Sequence, residues 1–432
     1  MELSELNAVL GDPLLDSVTF LNEVAGRFPD AVSFAAGSPC EDFYDVDALD
    51  DYQRRFREYL TDELGMDRRR VIRTLFQYGR TKGIVHELIA RHLVVDEDID
   101  VDPDSIVVTV GAQEAILLVL RALRRDDRDV ALAVSPTYMG FTGAARLLDL
   151  PVVPVATGEL GVDFDHLSAQ LASVRGSGLR PRCLYVVPDF ANPTGISMDT
   201  ASRRRLLEVS AREDLLLLED NPYGQFPGHG ERLPTLKSLD QDARVVYLGS
   251  MAKTTMPGAR VGFVIADQPV TVDRRRVGCL ADELAKIKSM VTVNTSPLSQ
   301  AVVGGQLLAH EFSLAKANEP VRAVYRRNMD AMLRGLHERF AGTAVRWNVP
   351  TGGFFIVLTV PFRVSDALVE HSARQHRVLW TPMAHFYSGG DEGAHQLRLS
   401  FSSLSCEQID LGLDRLAGFV AEQTQLAVHA SA

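Results

Sequence analysis

The sequence contains few lysines, few cysteines and no long apolar run. Six lysines stand against 39 arginines in the 432 residues, so few side chains can supply a primary amine. No stretch of about 18 uninterrupted apolar residues occurs, which excludes a membrane-spanning helix. The first residues, Met1–Leu6, lack the basic start and the apolar run of a signal peptide, so we expect a cytoplasmic protein without membrane partners.

The four cysteines lie far apart and in mostly apolar surroundings. This pattern predicts reduced thiols rather than disulfides. No spacing typical of a metal site is visible among the cysteines or between them and the histidines, so we expect no metal ion. The cysteines are Cys40, Cys183, Cys279 and Cys406.

An excess of positive charge is also missing. The net charge of −12 and the pI near 5.4 argue against a nucleic-acid partner, because phosphate neutralisation needs clustered positive charge. With 46% apolar residues the chain can bury a large core, and its length predicts two to three domains. Three short arginine runs sit among acids and are typical of solvated helix faces: residues 68–70, 203–205 and 274–276.

One lysine stands between two groups that can hold a phosphate. Lys253 follows Ser250 by three residues and precedes Arg260 by seven. Such a lysine can form a Schiff base with the aldehyde of pyridoxal phosphate, while the hydroxyl and the guanidinium neutralise the phosphate. For this segment alone, a solvated lysine in a Gly/Pro loop is an equal alternative.

Two further segments place polar side chains after buried strands. The apolar run Leu215–Leu218 leads to Asp220, at a strand end where open α/β sheets place their ligands, and Tyr223 follows. A carboxylate there can pair with the protonated pyridine nitrogen and keep the ring able to accept electrons. Asn192, in a turn between a strand and a helix, can join Tyr223 in donating hydrogen bonds to the ring oxygen. Taken singly, these residues are also typical of an ordinary turn and a strand cap.

A third segment joins a strand to an amphipathic helix through a glycine. The strand Ile106–Val110 is followed by Gly111, Ala112 and Gln113. Backbone N–H groups at a helix N-terminus bind anions, so these three residues are candidates for the phosphate site, beside the hydroxyl and guanidinium near the lysine. By itself the join is a weak sign, because it recurs throughout α/β proteins.

Strand and helix patterns alternate between about residue 100 and residue 265. The alternation predicts an α/β fold with a mostly parallel sheet and helices on both faces, which would hold the cofactor. A long helical region near Leu307–Phe340 would lead into a smaller α/β domain. The predicted strands are Ile106–Val110, Val130–Val134, Leu184–Val187, Leu215–Leu218, Val245–Leu248 and Val261–Ile265 in the large sheet, and Val345–Trp347, Gly353–Thr359 and Gln396–Ser400 in the small domain.

In this order, the segments resemble the fold-type I pyridoxal-phosphate enzymes, specifically the class I/II aminotransferases of the 2-aminoadipate and aromatic type. The resemblance covers nearly the whole chain. It implies that Lys253 carries the cofactor and moves protons, that Asp220 contacts the ring nitrogen, and that Asn192 and Tyr223 contact the ring oxygen. The implied reaction is a two-stage transfer of an amino group from an amino acid to a keto acid, with pyridoxal 5'-phosphate as cofactor.

The same resemblance assigns two tyrosines. It implies that Tyr138 stacks on the cofactor ring and that Tyr78 reaches the phosphate of the neighbouring subunit's cofactor. We therefore expect a homodimer with shared active sites. Without the resemblance, Tyr138 would be interpreted as a core or turn tyrosine, and Tyr78 would carry no signal.

The resemblance also identifies substrate-binding residues. Arg398 is implied to clamp the α-carboxylate of the amino acid, which suits a guanidinium because its donors meet a carboxylate through two parallel hydrogen bonds. Gly37 is implied to approach the substrate closely, and Asn192 to contact it. An arginine that alternates with Leu397 and Leu399 could instead lie on the exposed face of an edge strand.

The fold implied by the resemblance divides the chain into three parts. Residues 1–50 would form an N-terminal segment that packs with the small domain. Residues 51–310 would form the large cofactor-binding domain, and residues 311–432 the small C-terminal domain. The junctions are predicted only to within several residues.

The substrate expectation comes from a longer pattern. The region from Asn7 to Gly37, with the segments around Tyr78 and Asn192, looks like the arylglycine aminotransferases of glycopeptide-antibiotic pathways. That resemblance implies amino transfer, with tyrosine as donor, to an arylglyoxylate, giving 4-hydroxyphenylglycine or 3,5-dihydroxyphenylglycine. Aromatic walls for the phenol could come from Phe20, Phe34, Tyr138, Phe190 and Phe386.

Three alternatives stay open at this stage. An aminotransferase of primary metabolism, acting on 2-aminoadipate, kynurenine or aromatic amino acids, would keep every cofactor residue. A pyridoxal-phosphate lyase would keep Lys253 but would not leave pyridoxamine phosphate after one half-reaction. A transcriptional regulator with an aminotransferase-like sensing domain would need an N-terminal DNA-binding domain, whereas the aminotransferase pattern begins within the first 40 residues.

Overall fold

The fold contains one large sheet and one small sheet. The computed structural model describes residues 1–12, 14–15, 23–159 and 161–431. The strands of this part are, in chain order, β1 (Val32–Ser33), β2 (Ile106–Thr109), β3 (Asp129–Ser135), β4 (Val152–Ala156), β5 (Arg180–Val186), β6 (Leu216–Asp220), β7 (Val245–Ser250), β8 (Gly262–Ile265), β9 (Pro269–Val272), β10 (Arg275–Cys279), β11 (Arg346–Trp347), β12 (Phe355–Thr359), β13 (Val378–Leu379), β14 (Thr381–Pro382) and β15 (Gln396–Ser400).

Helices surround both sheets. They are α1 (Val46–Glu58), α2 (Arg68–Phe76), α3 (His86–Glu97), α4 (Gly111–Leu123), α5 (Met139–Leu147), α6 (Phe164–Gly176), α7 (Thr200–Arg212), α8 (Leu236–Leu239), α9 (Leu280–Val291), α10 (Pro297–Ala309), α11 (Leu314–Ala317), α12 (Glu319–Phe340), α13 (Asp366–His371) and α14 (Cys406–Ser431). Two π-helical turns are Tyr59–Glu63 and Ser372–His376. Short 3-10 turns are Leu3–Glu5, Ala8–Gly11, Glu41–Phe43, Pro103–Ser105, Pro257–Ala259 and Met383–Phe386.

The large sheet has seven strands in the order β2-β8-β7-β6-β5-β3-β4. Every adjacent pair is parallel except the two pairs that include β8. Apolar residues of the sheet pack against helices in several separate buried clusters, as expected where both faces are covered. The mostly parallel sheet predicted from the sequence is confirmed.

Local signals in the sequence explain most of these boundaries. Strand β2 ends at Thr109 and helix α4 begins at Gly111, so Val110 is the single residue between them. Helix α7 begins after Asp199, whose carboxylate accepts the Ser202 N–H at 2.7 Å, a typical N-cap. The strand-turn-helix pattern predicted there is present.

One strand of the large sheet is missing from the sequence prediction. Strand β4 contains Pro154, and proline weakens a strand signal because it donates no ladder hydrogen bond. The structure places β4 at the edge of the sheet, paired only with β3, where proline is tolerated.

The long helical region predicted near Leu307–Phe340 is present, but it is not one helix. It is split into α10, α11 and α12. Glu311 and Phe312 adopt left-handed backbone conformations with φ of 53° and 65°, and the Ser313 hydroxyl then caps α11 by accepting the Lys316 N–H. Proline in the first turn of α12 starts a new helix.

The smaller part of the molecule is built on a four-stranded antiparallel sheet in the order β11-β12-β15-β14. Strand β1 lies beside β13 in parallel, with Val32 opposite Val378. Phe34 is fully buried in the same apolar cluster as Trp380 and Phe419. N-terminal residues thus pack with the C-terminal part, while the exact domain junctions stay predictions.

The strand order brings the predicted functional segments to one edge of the large sheet. Strands β5, β6 and β7 are parallel, and β2 runs in the same direction because the antiparallel β8 lies between it and β7. Their carboxyl ends therefore meet at the same edge. Asp220 ends β6, Ser250 ends β7, and Gly111 follows β2.

Two expectations about the whole chain can be compared with the structure. All four cysteines lie in the described ranges without a disulfide bond between them, and Cys40 and Cys183 are buried; their reduced state stays a prediction. Among the helices of the described ranges, none is long and apolar enough to cross a membrane. Phe20, a candidate for the aromatic wall, lies outside the described residues.

Candidate active site

Lys253 differs from the other lysines in having no carboxylate partner within the described part of the chain. Its Nζ donates a hydrogen bond to the Gly37 carbonyl oxygen at 2.7 Å. Burial lowers the pKa of Lys253 to about 8, and the positive charges of Arg398 and Arg260 act in the same direction. The neutral amine, which is the nucleophilic form, is therefore accessible near physiological pH.

The remaining five lysines each form an ion pair. The partners of these lysines are Asp282 for Lys82, Asp267 for Lys237, Glu283 for Lys286, Glu114 for Lys288 and Glu311 for Lys316, with N–O distances of 2.7 to 2.9 Å. In each pair the carboxylate occupies the ammonium group as a hydrogen-bonded partner. This contrast removes the interpretation of Lys253 as an ordinary surface lysine.

Asp220 is a buried carboxylate with one unpartnered oxygen. Its Oδ2 accepts a hydrogen bond from the Tyr185 hydroxyl at 2.6 Å, whereas Oδ1 is buried without a partner. Burial raises the pKa of Asp220 to about 6, and the bond from Tyr185 opposes that shift. A buried polar atom without a partner is rare and costly in a native fold, so Oδ1 is available for a donor that binds in the pocket.

The N-terminus of α4 is open to an anion. The residue before it, Val110, offers no side-chain cap, so the first N–H groups of Gly111, Ala112 and Gln113 lack helical partners. Gly111 has a φ of +73°, and a Cβ placed on it would lie 2.5 Å from Nη2 of Arg260. Glycine is thus required for the guanidinium to approach the helix end. Arg260 has no carboxylate partner among the described residues.

Side chains next to this helix end fix its surroundings. Gln113 Nε2 donates to the Gly140 carbonyl at 2.6 Å, and Tyr138 donates to Gln113 Oε1 at 3.5 Å. The Ser250 hydroxyl accepts the Ala252 N–H at 3.3 Å. Gly262, which is opposite Ser250 in the β7–β8 pair, packs so closely on the helix end that a Cβ on it would lie 2.7 Å from the Ala112 nitrogen. The structure thus places Ser250 and Arg260 near the start of α4, while their role in holding a phosphate stays a prediction.

Two tyrosines lie close to the carboxylate, and an asparagine contacts one of them. Tyr138 precedes α5 and is close enough to Asp220 for the carboxylate to raise the tyrosine pKa, although burial is the main cause. Tyr223 is buried, with its ring at 5.2 Å from Phe354 and nearly perpendicular to Phe355. Burial raises the pKa of Tyr223, which keeps it a hydrogen-bond donor, and a hydrogen bond with Asn192 partly opposes the shift.

Arg398 is buried at the centre of the small sheet. It lies on β15, which pairs with β12 on one side and β14 on the other, so the alternative of an exposed edge strand is wrong. Its Nη1 donates to Asn192 Oδ1 at 2.5 Å, and Nη2 donates to the Ala35 carbonyl at 2.8 Å. Nε is buried without a partner. Burial lowers the pKa of Arg398 to about 10, and no described carboxylate compensates its charge.

Aromatic rings hold this guanidinium in place. Its carbon lies 4.3 Å from the ring centre of Phe355 and 5.0 Å from that of Phe386. A Cβ on Gly37 would lie 2.5 Å from the Phe355 ring, so glycine there lets the ring reach Arg398. Gly37 thus supports the site twice, through its carbonyl to Lys253 and through the space it leaves.

Tyr78 is not brought into this group. Its side chain is 84% exposed, and Phe76 nearby is 72% exposed. The structure therefore places Tyr78 where it does not contact the site of its own chain. A role toward a neighbouring subunit stays a prediction.

Sequence reasoning missed Tyr185 and Phe355. Tyr185 lies inside the apolar run of β5. A signal was present, since a phenol in a fully buried strand must find a partner for its hydroxyl. For Phe355 no signal was available, because its role depends on a contact between strands far apart in the chain.

The residues present fit one kind of group. They offer an anion site at α4, a carboxylate oxygen for a protonated ring nitrogen, an amine for an aldehyde and a guanidinium for a substrate carboxylate. No metal-like donor set lies among these residues. Pyridoxal phosphate with an amino acid substrate needs this set of partners.

Comparison with known proteins agrees with the geometry. The (S)-3,5-dihydroxyphenylglycine transaminase of Amycolatopsis orientalis is 52% identical over 421 residues, covering 97% of this chain and 94% of that protein. The 2-aminoadipate transaminase of Thermus thermophilus is 32% identical over 392 residues, covering 90% and 89%. The crystal structure of an α-aminoadipate aminotransferase from the same organism, complexed with N-(5'-phosphopyridoxyl)-L-leucine, matches with a TM-score of 0.80 and 28% identity over 99% of this chain and 100% of that chain.

The family model for aminotransferase class I and II matches residues 44–416, a span that includes every residue of the site except Gly37. The pyridoxyl compound in the matched crystal structure agrees with the cofactor that the site fits. The expected fold, cofactor and enzyme class are therefore confirmed, and the chain belongs to the class I and II aminotransferases, as a pyridoxal-phosphate-dependent transaminase.

Proposed function

We propose that this transaminase moves an amino group from an L-amino acid to an arylglyoxylate and so produces an arylglycine for antibiotic biosynthesis. The first candidate product is 3,5-dihydroxyphenylglycine, the second is 4-hydroxyphenylglycine, and the proposed donor is tyrosine. The observation that carries the proposal is the similarity along nearly the whole chain to the dihydroxyphenylglycine transaminase.

The charges of the site support an uncharged substrate side chain. Among the described residues, the cations that act on Lys253 are Arg398 and Arg260. We assign the first to the α-carboxylate and the second to the cofactor phosphate, so both cations that act on Lys253 are already used. The undescribed segment 16–22 contains no lysine, arginine or histidine. An aryl side chain fits this charge balance better than the dicarboxylate 2-aminoadipate.

Bound pyridoxal phosphate supplies the sink for the electrons released when the substrate Cα–H bond breaks. Lys253 supplies the base: its amine, with a pKa lowered to about 8 and fixed by the Gly37 carbonyl, takes and returns the Cα proton. Asp220 would hold the ring nitrogen proton through Oδ1, while Tyr185 orients the carboxylate through Oδ2. Asn192, held by Arg398 through its oxygen, keeps its NH₂ group as a donor for the ring oxygen.

We further propose a homodimer in which Tyr78 completes the phosphate site of the neighbouring subunit. Two observations support this. Tyr78 is exposed on its own chain, and the adjacent Phe76 also presents a large apolar side chain to solvent. Contiguous exposed apolar surface marks protein–protein interaction sites, and these two side chains would contribute to such a patch.

The substrate proposal can be tested by half-reactions. The cofactor-loaded enzyme is mixed with single amino acids, and the conversion of cofactor to its amino form is followed by absorbance. We expect 3,5-dihydroxyphenylglycine and tyrosine to react with rate constants at least about tenfold above that of 2-aminoadipate, a difference of about 1.4 kcal/mol in transition-state binding. Fast reaction with 2-aminoadipate or kynurenine and none with the arylglycines would favour the primary-metabolism alternative.

Asp220→Asn tests the role of the buried carboxylate. We expect the cofactor to stay bound, because Lys253 and the α4 site are unchanged, and the single-turnover rate to fall by about 10²–10³, as is usual when one charge-stabilising group is lost. Tyr185→Phe should slow the same step by about tenfold, since it removes a hydrogen bond to a charged group. Stopped-flow absorbance measures both rates.

The matched control for these variants is Asp267→Asn. Asp267 lies just beyond β8 on the same sheet, but its partner is Lys237 rather than the site. Its half-reaction rate should equal that of the wild type. Equal rates for Asp220→Asn and the wild type would remove Asp220 from the reaction and leave it as a strand cap.

The pKa of Lys253 can be measured by trace acetylation of the cofactor-free protein across pH, with peptide mass spectrometry as readout. Only the neutral amine reacts, so labelling should rise with pH around a midpoint near 8. Arg398→Met should move the midpoint upward, because a positive neighbour that favours the neutral form is lost. Arg363→Met, which changes an exposed arginine paired with Asp391, is the control. A midpoint near 10.5 in the wild type would contradict the proposed base.

The shared site can be tested by mixing two inactive chains at limiting cofactor. If Tyr78 acts across the interface, Lys253→Ala and Tyr78→Ala subunits form hybrids with one intact site each. Random exchange then restores about a quarter of the wild-type activity. As a control, the chain that carries both changes is mixed with wild type, which gives hybrids without an intact site. No recovery in the first mixture would show that Tyr78 does not complete a neighbour's site.

A further inference from the structure

Two histidines and a glutamate meet on the surface of the smaller part, outside the transaminase site. His371 Nε2 lies 2.9 Å from Oε1 of Glu422, and His376 Nε2 lies 2.7 Å from Oε2 of the same side chain. All three ligand atoms lie within 4.8 Å of one another. Each side chain remains partly accessible, with exposed fractions of 37%, 18% and 39% for His371, His376 and Glu422.

An unusual backbone turn brings the two histidines together. His371 ends α13, and His376 ends the π-helical turn Ser372–His376 that follows. In an α-helix, residues five apart point about 140° away from each other. A π-turn closes with bonds between residues five apart, so the two side chains lie on the same side, and such turns are frequent at functional sites. Their ring centres are 6.1 Å apart.

The turn and its side chains are firmly supported. The Ser372 hydroxyl is buried, donates to the Val378 carbonyl at 2.9 Å and accepts the indole N–H of Trp380 at 3.1 Å. Phe419, one turn before Glu422 in α14, is fully buried, and its ring lies 5.7 Å from that of His376. Little side-chain freedom would therefore be lost if a ligand fixed these residues.

We propose that His371, His376 and Glu422 form a binding site for one divalent transition-metal ion of the Zn²⁺ type. Two imidazole nitrogens and one carboxylate oxygen are a common zinc donor set, with the fourth position left to water. Tetrahedral coordination at about 2.0–2.2 Å from the ion separates the ligand atoms by roughly 3.4 Å. The two N–O pairs, now at 2.9 and 2.7 Å, would therefore open slightly to admit the ion. The ion takes the Nε2 lone pairs, so each neutral ring keeps its hydrogen on Nδ1 and a charged ring releases one proton to solvent.

Metal binding would cross-link two elements of the smaller part. The ion would connect α14 to the turn between α13 and β13. Strand β14 follows shortly afterwards, and its Thr381 hydroxyl accepts a hydrogen bond from Arg398 at 3.3 Å. Binding should therefore stabilise the small sheet that carries Arg398, without adding a group to the transaminase site.

The sequence did not reveal this site. His376 is the fifth residue after His371, which places the two on different faces of an ordinary α-helix. Glu422 follows His376 by 46 residues. The absence of a metal site expected from sequence spacing rested on that spacing alone.

The test is calorimetric titration of Zn²⁺ into the cofactor-loaded, chelator-treated enzyme, in a buffer that does not bind zinc. The wild type should bind one ion per chain at this site, and thermal unfolding should shift to higher temperature on addition of Zn²⁺. His371→Ala and His376→Ala should each weaken this binding at least about tenfold and abolish the thermal shift, because each removes one direct ligand.

His229→Ala is the matched control. His229 is an exposed histidine paired with Asp330 at 3.0 Å, which makes it a similar imidazole–carboxylate pair without a second histidine. Its loss should leave zinc binding unchanged. Glu422→Gln replaces the third ligand by a side chain of the same size, so this variant should keep its fold. Far-ultraviolet circular dichroism and cofactor absorbance check that each variant is folded.

Co²⁺ provides a second readout. Bound at this site it should show ligand-field absorption at longer wavelength than the cofactor, and His376→Ala should lose that absorption. The proposal is overturned if the wild type binds no more Zn²⁺ than the His371→Ala/His376→Ala double variant, or if folded single variants bind it as tightly as the wild type.

Discussion

The structure depends on keeping three buried charged groups without ionic partners where the edge of the large sheet meets the small sheet. Lys253, Arg398 and Asp220 each lie in low-dielectric surroundings, where an unpaired charge is costly. Elsewhere in the described core, buried charged groups are paired, as between Arg203 and Asp189 at 2.6 Å. Glu219 is held instead by the backbone N–H groups of Leu236 and Lys237, and burial raises its pKa to about 8, so it is largely neutral at pH 7. The uncompensated groups are therefore concentrated where a ligand of complementary charge binds, and that binding links cofactor occupancy to the stability of the fold.

Two glycines show how the backbone makes this arrangement. At Gly111, the left-handed φ turns β2 into α4, and the missing side chain leaves room for Arg260 at the helix end. At Gly37, the missing side chain leaves room for the Phe355 ring, which in turn holds Arg398. A side chain at either position would displace a guanidinium. The shape of the anion sites thus resides in the backbone as much as in the charged side chains.

The sequence predicted those features that are encoded locally. The strand ends at Asp220 and Ser250 and the helix starts at Gly111 and after Asp199 follow from short patterns of apolar, glycine and capping residues. The missed edge strand contains Pro154, and the split of the long helix depends on left-handed residues that carry no glycine signal. Contacts such as Tyr185 to Asp220 and Phe355 to Arg398 join distant segments, so they appear only when the chain is folded.

The pKa shifts of Lys253 and Asp220 show how cofactor binding stabilises the pocket. The pKa of Asp220 in the folded protein, about 6, lies above the usual 3.8. The loss of folding stability from burying its negative charge is therefore absent below pH 3.8 and complete above pH 6. The pKa of Lys253 in the folded protein, about 8, lies below the usual 10.5. The loss of folding stability from burying its positive charge is therefore complete below pH 8 and disappears as pH rises through 10.5. Each shift corresponds to about 3 kcal/mol, and at pH 7 both costs are present together. A protonated ring nitrogen beside Asp220 favours the ionised carboxylate, and a covalent bond between the cofactor and Lys253 removes the buried ammonium. Cofactor binding therefore relieves both losses of stability. It does so in the pH range where the enzyme needs an ionised aspartate and a neutral lysine.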